Sequence, residues 1–281
     1  MRLAKQPLIV ARMMIDNAQL AILALIQGIT EFLPISSSGH LVLLPTITKL
    51  ADQGQLLDVA AHFGSLGAVM IYVRGDIWSM VKGVVTFGRH DKNGLALALM
   101  VIVASLPVIV IGLIVELIDP AFLRLALSVA IANLIFAGLL YKADTAFPTN
   151  NEMKDITYKD ALLLGIAQIF ALIPGTSRSG VTMTAARARG FSRLASARFS
   201  MLMAVPVILG ATLLKSRHFF DDDHGVSLTQ AGLVALLSLI TALIAIRIMM
   251  RWLARADFKI FVYYRVALGV ALIGALALGI I

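Results

Sequence analysis

Long runs of hydrophobic residues, separated by short polar stretches, occupy most of the chain. A helix that crosses the hydrocarbon core of a bilayer needs about 20 mostly apolar residues. Runs of about this length predict six spanning helices, at approximately 56–73, 95–118, 122–141, 195–214, 228–250 and 260–281. The pattern therefore predicts an all-α, polytopic membrane protein with a single integral membrane domain over residues 1–281.

Two further hydrophobic runs are too short to cross a membrane, and both end in polar clusters. Residues 20–33 run into Pro34 and the sequence ISSSGH, and residues 161–173 run into Pro174 and the sequence GTSRSG. More helix-like sequence follows each cluster, which is typical of a re-entrant hairpin. Non-helical backbone at membrane depth is tolerated only where protein or a water-filled cavity covers it.

The two broken regions resemble each other, since LPISS at 33–37 aligns with IPGTS at 173–177. The chain therefore divides into two diverged repeats, approximately 15–141 and 158–281. Each repeat is predicted to have a re-entrant helical hairpin followed by spanning helices. Interrupted hydrophobic segments at corresponding places in two repeats indicate a binding site near the bilayer midplane.

Composition supports the membrane assignment. Of the 281 residues, 59% are hydrophobic and 14% are charged, whereas soluble globular proteins carry about 25% charged residues. These fractions exclude soluble, disordered and secreted disulfide-rich proteins. The sequence has no cysteine, and thus no thiol nucleophile. The basic N-terminus lacks a small-residue cleavage site, so we expect it to be mature sequence.

The formal net charge of +8 gives the chain an orientation. Basic residues concentrate at 74–92, 142–159 and 247–259, and the positive-inside rule makes these loops cytoplasmic. The acidic loop at 221–223 is then outside, and the two hairpins enter from opposite faces, although three basic residues near the N-terminus oppose this orientation. No nucleic-acid motif occurs, so the charge indicates a membrane surface. Four more arginines are expected at the cytoplasmic end: Arg187, Arg189, Arg193 and Arg198.

The first polar cluster combines a carboxylate, a histidine and hydroxyls. Gln27 and Glu31 are four residues apart and share one helix face. A carboxylate within an apolar span is costly and indicates function by default, although a structural hydrogen bond to a neighbouring helix is the alternative. His40 follows three serines, and this neighbourhood favours a catalytic role over a satisfied polar residue.

The second polar cluster has the features of an anion site. Its glycines allow close approach of the backbone, and the helix that follows would present free N–H groups. Arg178 adds a planar fork that suits two phosphate oxygens. A capped loop with a snorkelling arginine is the alternative.

The two clusters together suit phosphoryl transfer, in which catalysis is mostly positioning and charge neutralisation. The peptidase motifs G-x-S-x-G and H-E-x-x-H are absent from the sequence, as is a P-loop. A transporter or flippase of a lipid-linked phosphate stays open as the alternative, because broken helices in inverted repeats are also the architecture of secondary transporters.

At these residues a family becomes recognisable. QGITEFLPISSSGH at 27–40 closely resembles the first signature of the bacterial undecaprenyl-diphosphate phosphatases of the bacitracin-resistance type, and PGTSRSGVT at 174–182 resembles their second. The resemblance covers nearly the whole chain. It implies two inverted repeats with re-entrant hairpins in the bacterial cytoplasmic (inner) membrane, with the active site toward the periplasmic face.

The resemblance also implies the reaction. Water cleaves the terminal phosphate from undecaprenyl diphosphate, which regenerates the carrier lipid for peptidoglycan and other envelope polymers and confers bacitracin resistance. A divalent metal, Mg²⁺ or Ca²⁺, is expected to support activity. The expected partners are the lipid substrate and the bilayer, and a homodimer is left open.

Roles follow from the resemblance position by position. Glu31 matches an acidic position that holds metal or water, and Gln27 stands where some members have a second acid. Ser37 and His40 match the hydroxyl and imidazole proposed as nucleophile or general acid/base, and Arg178 matches the diphosphate-binding arginine. Further positions expected to contact the diphosphate are Ser36, Ser38, Ser177, Ser179, Gly180 and Thr182.

Three further positions match the family less closely, and for these we favour a structural role: Asp58, His62 and Arg265. The mechanism itself stays open at this point. Ser37 activated by His40, His40 itself, or water activated by His40 could attack the terminal phosphorus.

Overall fold

A computed structural model describes residues 17–37, 39–40, 55–118, 125–216 and 227–279. Its regular elements are helices, joined by short turns and two 3-10 turns, so the all-α prediction is confirmed. The helices are α1 (Asn17–Thr30), α2 (Gln55–Tyr72), α3 (Arg74–Val85), α4 (Lys92–Ile118), α5 (Ala126–Ala146), α6 (Tyr158–Gln168), α7 (Arg178–Ala188), α8 (Arg193–Ser216), α9 (Leu228–Leu253) and α10 (Lys259–Ala277).

Helices α4, α5, α8, α9 and α10 are each long and apolar enough to cross a membrane. Helix α2 coincides with the remaining predicted span, at 56–73. It continues into α3 after a bend of 81°, and the pair can form one broken span. Among the described residues the chain thus has five or six membrane-spanning segments, which makes it a multi-pass membrane protein.

The predicted end of the third span at 141 is wrong, because α5 continues to Ala146. The physical reason is Asp144, which is buried in the last turn of α5. Its carboxylate accepts from the guanidinium groups of Arg187 (3.1 Å) and Arg193 (2.7 Å). Tertiary ion pairs therefore hold this turn helical where the local sequence reads as a basic loop.

The two short hydrophobic runs form short helices that stop at the predicted breaks. Helix α1 ends at Thr30, and a turn precedes Pro34. Helix α6 ends at Gln168 and continues as the 3-10 turn Ile169–Leu172. After the second break, α7 returns from Arg178. The corresponding segment after His40 lies outside the described residues, as do Ser38, the N-terminal basic residues and the acidic loop at 221–223.

Small residues allow the helices to pack closely. Helix α1 packs on α9, α6 packs on α4, α2 contacts both α8 and α9, and α5 packs on α10. A Cβ atom added to Gly64 of α2 would lie 2.0 Å from the carbonyl oxygen of Ala235 in α9, and one added to Gly165 of α6 would lie 2.5 Å from that of Ala104 in α4. Glycine thus brings backbones together, as is common in membrane bundles.

The four arginines expected at the cytoplasmic end are paired with carboxylates. Arg187 is fully buried, and its guanidinium also donates to the carbonyls of Phe147 and Pro148. Arg187 therefore secures the end of α7 to α5 and is not a snorkelling surface residue. The remaining pairs are Arg189 with Asp160, Arg193 with Asp144, and Arg198 with Asp76.

Candidate active site

The two broken segments have the same local backbone structure. Ser36 and Ser177 have positive φ angles of 72° and 70°, which are uncommon for residues other than glycine. The Oγ atom of each serine accepts from the backbone N–H of a glycine three residues later, Gly39 (3.3 Å) or Gly180 (3.0 Å). The structure therefore matches SSSG with SRSG, one residue out of step with the alignment based on the two prolines.

Glu31 and Arg178 bring the two segments together. The Nη2 atom of Arg178 donates to Oε1 of Glu31 (3.0 Å), and both side chains are largely buried. The other carboxylate oxygen of Glu31 accepts from Oγ of Ser37 (2.8 Å) and from Nε2 of Gln27 (3.0 Å). The guanidinium of Arg178 also lies 5.5 Å from the ring centroid of Phe32. The predicted acid and the predicted arginine thus form one buried, hydrogen-bonded cluster.

Arg265 of α10 bonds to both broken segments and holds them together, in agreement with the structural role favoured for it. The side chain is fully buried in α10 and donates to the carbonyls of Pro34 (3.5 Å), Gly175 (3.0 Å) and Thr176 (2.9 Å). Its Nε atom donates to Oδ1 of Asn133 (2.9 Å). Five N–H donors in a planar fork suit this task, because both breaks leave carbonyls without helical partners.

A pocket of about 190 Å³ opens beside the cluster. Glu31, His62 and Arg178 form its polar wall. The rest is formed by Thr212 and by apolar residues of α2, α4, α8 and the 3-10 turn. The Nε2 atom of His62 lies 4.0 Å from Oε2 of Glu31, and Nδ1 donates to the carbonyl of Asp58 (2.7 Å). The ring therefore faces the pocket.

We favoured a structural role for His62 from the sequence, and its position in the pocket wall was not anticipated. The available signal was an ionisable residue within an otherwise apolar predicted span, the same signal that singled out Glu31. Asp58 takes part through its backbone carbonyl, which orients the His62 ring.

Both ring nitrogens of His40 have partners other than Ser37. Its Nδ1 atom donates to the carbonyl of Ser36 (2.7 Å), and Nε2 accepts from the hydroxyl of Tyr264 (2.5 Å). The two rings stack with centroids 5.7 Å apart. The hydroxyl of Ser37 donates to the carboxylate of Glu31. Activation of Ser37 by His40, one of the three mechanisms left open above, is therefore not the pairing that the described residues make.

Three of the hydroxyls predicted to bind diphosphate, all in the second segment, are buried and bonded within the protein. Ser177 caps α7, Ser179 donates to the carbonyl of Leu33 (2.8 Å), and Thr182 bonds to the hydroxyl of Ser200 (2.6 Å). A Cβ atom added to Gly180 would lie 2.7 Å from Arg265. These residues brace the two segments; that they also contact the diphosphate stays a prediction.

The expected metal finds oxygen ligands here but no preformed cage. Within the described ranges, no group of three or more histidine, aspartate or glutamate side chains is placed to hold an ion. Oε1 of Gln27 is buried and lacks a hydrogen-bond partner, beside the carboxylate of Glu31. Hard divalent cations prefer oxygen ligands, and Mg²⁺ is usually bound through one or two carboxylates plus substrate phosphates. Glu31 would supply one carboxylate, and Gln27 would add an amide oxygen.

Comparison with known proteins identifies the family of this chain. The profile of the family described as "Bacitracin resistance protein BacA" matches residues 20–271. An undecaprenyl-diphosphatase of Maricaulis maris is 48% identical over 262 residues, covering 90% of this chain and 97% of the relative. One from Alcanivorax borkumensis is 43% identical, covering 93% and 100%, and one from Ruegeria sp. is 42% identical, covering 91% and 97%. The chain belongs to the BacA bacitracin resistance protein family.

Proposed function

We propose that this protein is an undecaprenyl-diphosphatase, which hydrolyses undecaprenyl diphosphate to undecaprenyl phosphate and inorganic phosphate. Relatives that align with this chain over nearly their whole length carry that name. The observation that carries the proposal is the cluster in which Arg178 and Ser37 both bond to the buried carboxylate of Glu31 at a pocket. The product would re-enter envelope polymer synthesis, and removal of the substrate would confer bacitracin resistance.

Arg178 would hold the diphosphate. Its guanidinium lies at the pocket wall, and its N–H groups match phosphate oxygens two at a time. The present bond to Glu31 neutralises the guanidinium, and a diphosphate could take over part of that pairing. His62 on the same wall would contact the phosphate as well.

Ser37 would be the nucleophile and Glu31 its base. The hydroxyl already donates to Oε2 of Glu31 at 2.8 Å, which is the geometry of an activated nucleophile. Oγ of Ser37 would bond to the terminal phosphorus while its proton passes to Glu31 and the bridging P–O bond breaks. Undecaprenyl phosphate would leave, and water would then release inorganic phosphate and regenerate Ser37.

A divalent metal, Mg²⁺ or Ca²⁺, would be held by Oε1 of Gln27 and by Glu31 together with the substrate phosphates. When bound, it would neutralise charge that develops on the transferred phosphoryl group. Gln27 orients its amide by donating from Nε2 to Glu31, so its oxygen is left for the ion.

Replacing Gln27 with glutamate is expected to strengthen metal binding by about ten-fold, because two adjacent carboxylates favour a cation between them. The readout is the rise in the thermal unfolding midpoint with added Mg²⁺ or Ca²⁺, which follows the affinity of the folded state. The matched control is Gln168→Glu. Gln168 is also buried and its Oε1 atom also lacks a hydrogen-bond partner, but its Nε2 atom donates to the carbonyl of Ala104 and not to a carboxylate. Equal metal-induced shifts in both variants and the wild type would contradict the assignment.

Two inverted repeats remain part of the proposal. Helix α1 of the first repeat packs on α9 of the second, and α6 of the second packs on α4 of the first. Corresponding helices of the two repeats also contact each other: α2 contacts α8, and α5 contacts α10. Reciprocal packing of this kind, with the two similar serine turns meeting at the centre, supports a pseudo-two-fold relation.

The site would face the periplasm. Residues from all three predicted cytoplasmic loops line one pocket, among them arginines from two of these loops, together with Tyr72 of α2 and Arg198 of α8. His62 precedes Tyr72 by ten positions, or about 15 Å of helix, and Ala211 of the active-site pocket lies about 20 Å along α8 from Arg198. Since the hydrocarbon core is about 30 Å thick, this displacement supports a site near or beyond the midplane of a bacterial cytoplasmic membrane.

Release of inorganic phosphate from undecaprenyl diphosphate by the purified protein in detergent tests the function. We expect steady turnover, because hydrolysis requires no second leaflet. A flippase would bind the lipid in detergent without releasing phosphate, and that outcome would overturn the proposal. Light scattering on the same sample tests the predicted homodimer.

A further inference from the structure

Two apolar grooves lie near the active site. One lies between α4 and α8 and encloses about 510 Å³; Ile109, Leu113 and Gly210 are among its lining residues. We call it the α4–α8 groove. The other, the α9–α10 groove, encloses about 370 Å³ and is lined by residues such as Ile244 and Phe261. Both are lined almost wholly by hydrocarbon, so either could take an aliphatic chain.

Among the residues that the structure describes, only the first of these two grooves joins the active-site pocket. Val108, Leu172, Val207 and Ala211 line both the α4–α8 groove and the pocket that holds Glu31 and Arg178. None of the residues lining the α9–α10 groove lines that pocket. The continuous surface therefore runs from the polar wall of the pocket into the space between α4 and α8.

We propose that the α4–α8 groove binds the first isoprene units of the polyprenyl tail while the diphosphate occupies the pocket. This inference rests on the proposed function. An apolar occupant is favoured because burial of hydrocarbon is the main gain the groove offers. Its one charged lining residue is Glu116, in the last turn of α4, and a carboxylate repels a phosphate group.

Glycine keeps this groove open. A Cβ atom added to Gly210 would meet no other atom within 4 Å, so a larger side chain there fits the protein and projects into the groove. Gly112, on the α4 wall, has only the side chain of Leu172 nearby, at 3.5 Å. Gly210 and Gly112 therefore determine how wide a tail the groove admits.

Gly210→Leu tests the inference, with Gly232→Leu of α9 as the matched control, since a Cβ atom at Gly232 also meets no atom within 4 Å and Gly232 does not line the groove. We expect Gly210→Leu to raise KM for undecaprenyl diphosphate on the order of ten-fold with little change in kcat. Gly232→Leu should behave as the wild type. Equal KM values in the two variants would overturn the groove assignment, while wild-type turnover would still support the function.

A second measurement uses the unaltered protein and does not depend on folding of a variant. A farnesyl diphosphate analogue with a diazirine on its tail is photolysed in the detergent-purified protein, and the labelled peptides are mapped. Labels within 108–116 or 207–214 support the proposal. Labels confined to 244–261 would place the tail in the α9–α10 groove and overturn it.

Discussion

Replacing Arg178 with alanine is expected to lower kcat/KM for undecaprenyl diphosphate by about 10³-fold, or about 4 kcal/mol of transition-state stabilisation. The guanidinium is largely shielded from solvent and lies at the wall of the pocket, where charge–charge interactions are stronger than in water. It is also the cation that pairs with Glu31, at 3.0 Å. Phosphate release in detergent measures the loss.

Two variants separate catalysis from folding in this experiment. Arg178→Lys keeps the charge but loses the planar fork, so we expect an intermediate loss of activity with an unfolding midpoint near that of the wild type. Arg251→Ala removes an exposed arginine from the opposite, basic end of the molecule and should leave turnover unchanged. A loss of less than about ten-fold for Arg178→Ala would contradict its role in binding the diphosphate.

Most of the helices were predictable because each corresponds to a continuous run of apolar residues in the sequence. A long apolar run has to become a helix in lipid, since every backbone polar group needs a partner there. The two short runs that end at Pro34 and Pro174 were recognisable as breaks for the same reason. Helix α5 extends past its predicted end because Lys142 was assigned to a basic loop, whereas a buried ion pair between Asp144 and Arg187 keeps that turn helical.

The sequence predicted which residues form the candidate site but not which of them bond to one another. Glu31 and Arg178 lie 147 residues apart in sequence, yet scarce charge within hydrocarbon was enough to single out both. The sequence could not reveal that Ser37 bonds to Glu31 and not to His40. That choice depends on the positive φ angle of Ser36, which sets where the side chains that follow it point. The sequence also could not place His62 in the pocket wall, which depends on how α2 packs.

Gly64 shows why helix packing could not be predicted from the sequence. A glycine in an apolar helix is common in membrane proteins and gives little information by itself. In the structure it allows the backbone of α2 to lie against Ala235 of α9, and this contact helps to fix the rotation of α2 that turns His62 toward Glu31. The side chains of the site were therefore predictable individually, and their arrangement required the packing of distant segments.

Replacing Ser37 with alanine is expected to lower kcat by at least about 10⁴-fold, the scale seen when a catalytic nucleophile is removed. The reason is the 2.8 Å hydrogen bond from Oγ of Ser37 to Glu31, which aligns the hydroxyl with a base. Rapid quench with substrate labelled in the terminal phosphate should trap a phosphoserine at Ser37. Ser105→Ala is the matched control, because the hydroxyl of Ser105 is buried and donates only within its own helix, to the carbonyl of Val101.

Glu31→Gln then distinguishes the remaining mechanisms. An amide of nearly the same shape cannot accept the proton of Ser37, so we expect neither turnover nor a trapped phosphoserine in a folded protein. If Ser37→Ala retained activity within about ten-fold of the wild type while Glu31→Gln did not, water activated by Glu31 would be the nucleophile. A phosphohistidine at His40 would assign the attack to the imidazole instead, and would require His40 to leave its bonds to Ser36 and Tyr264.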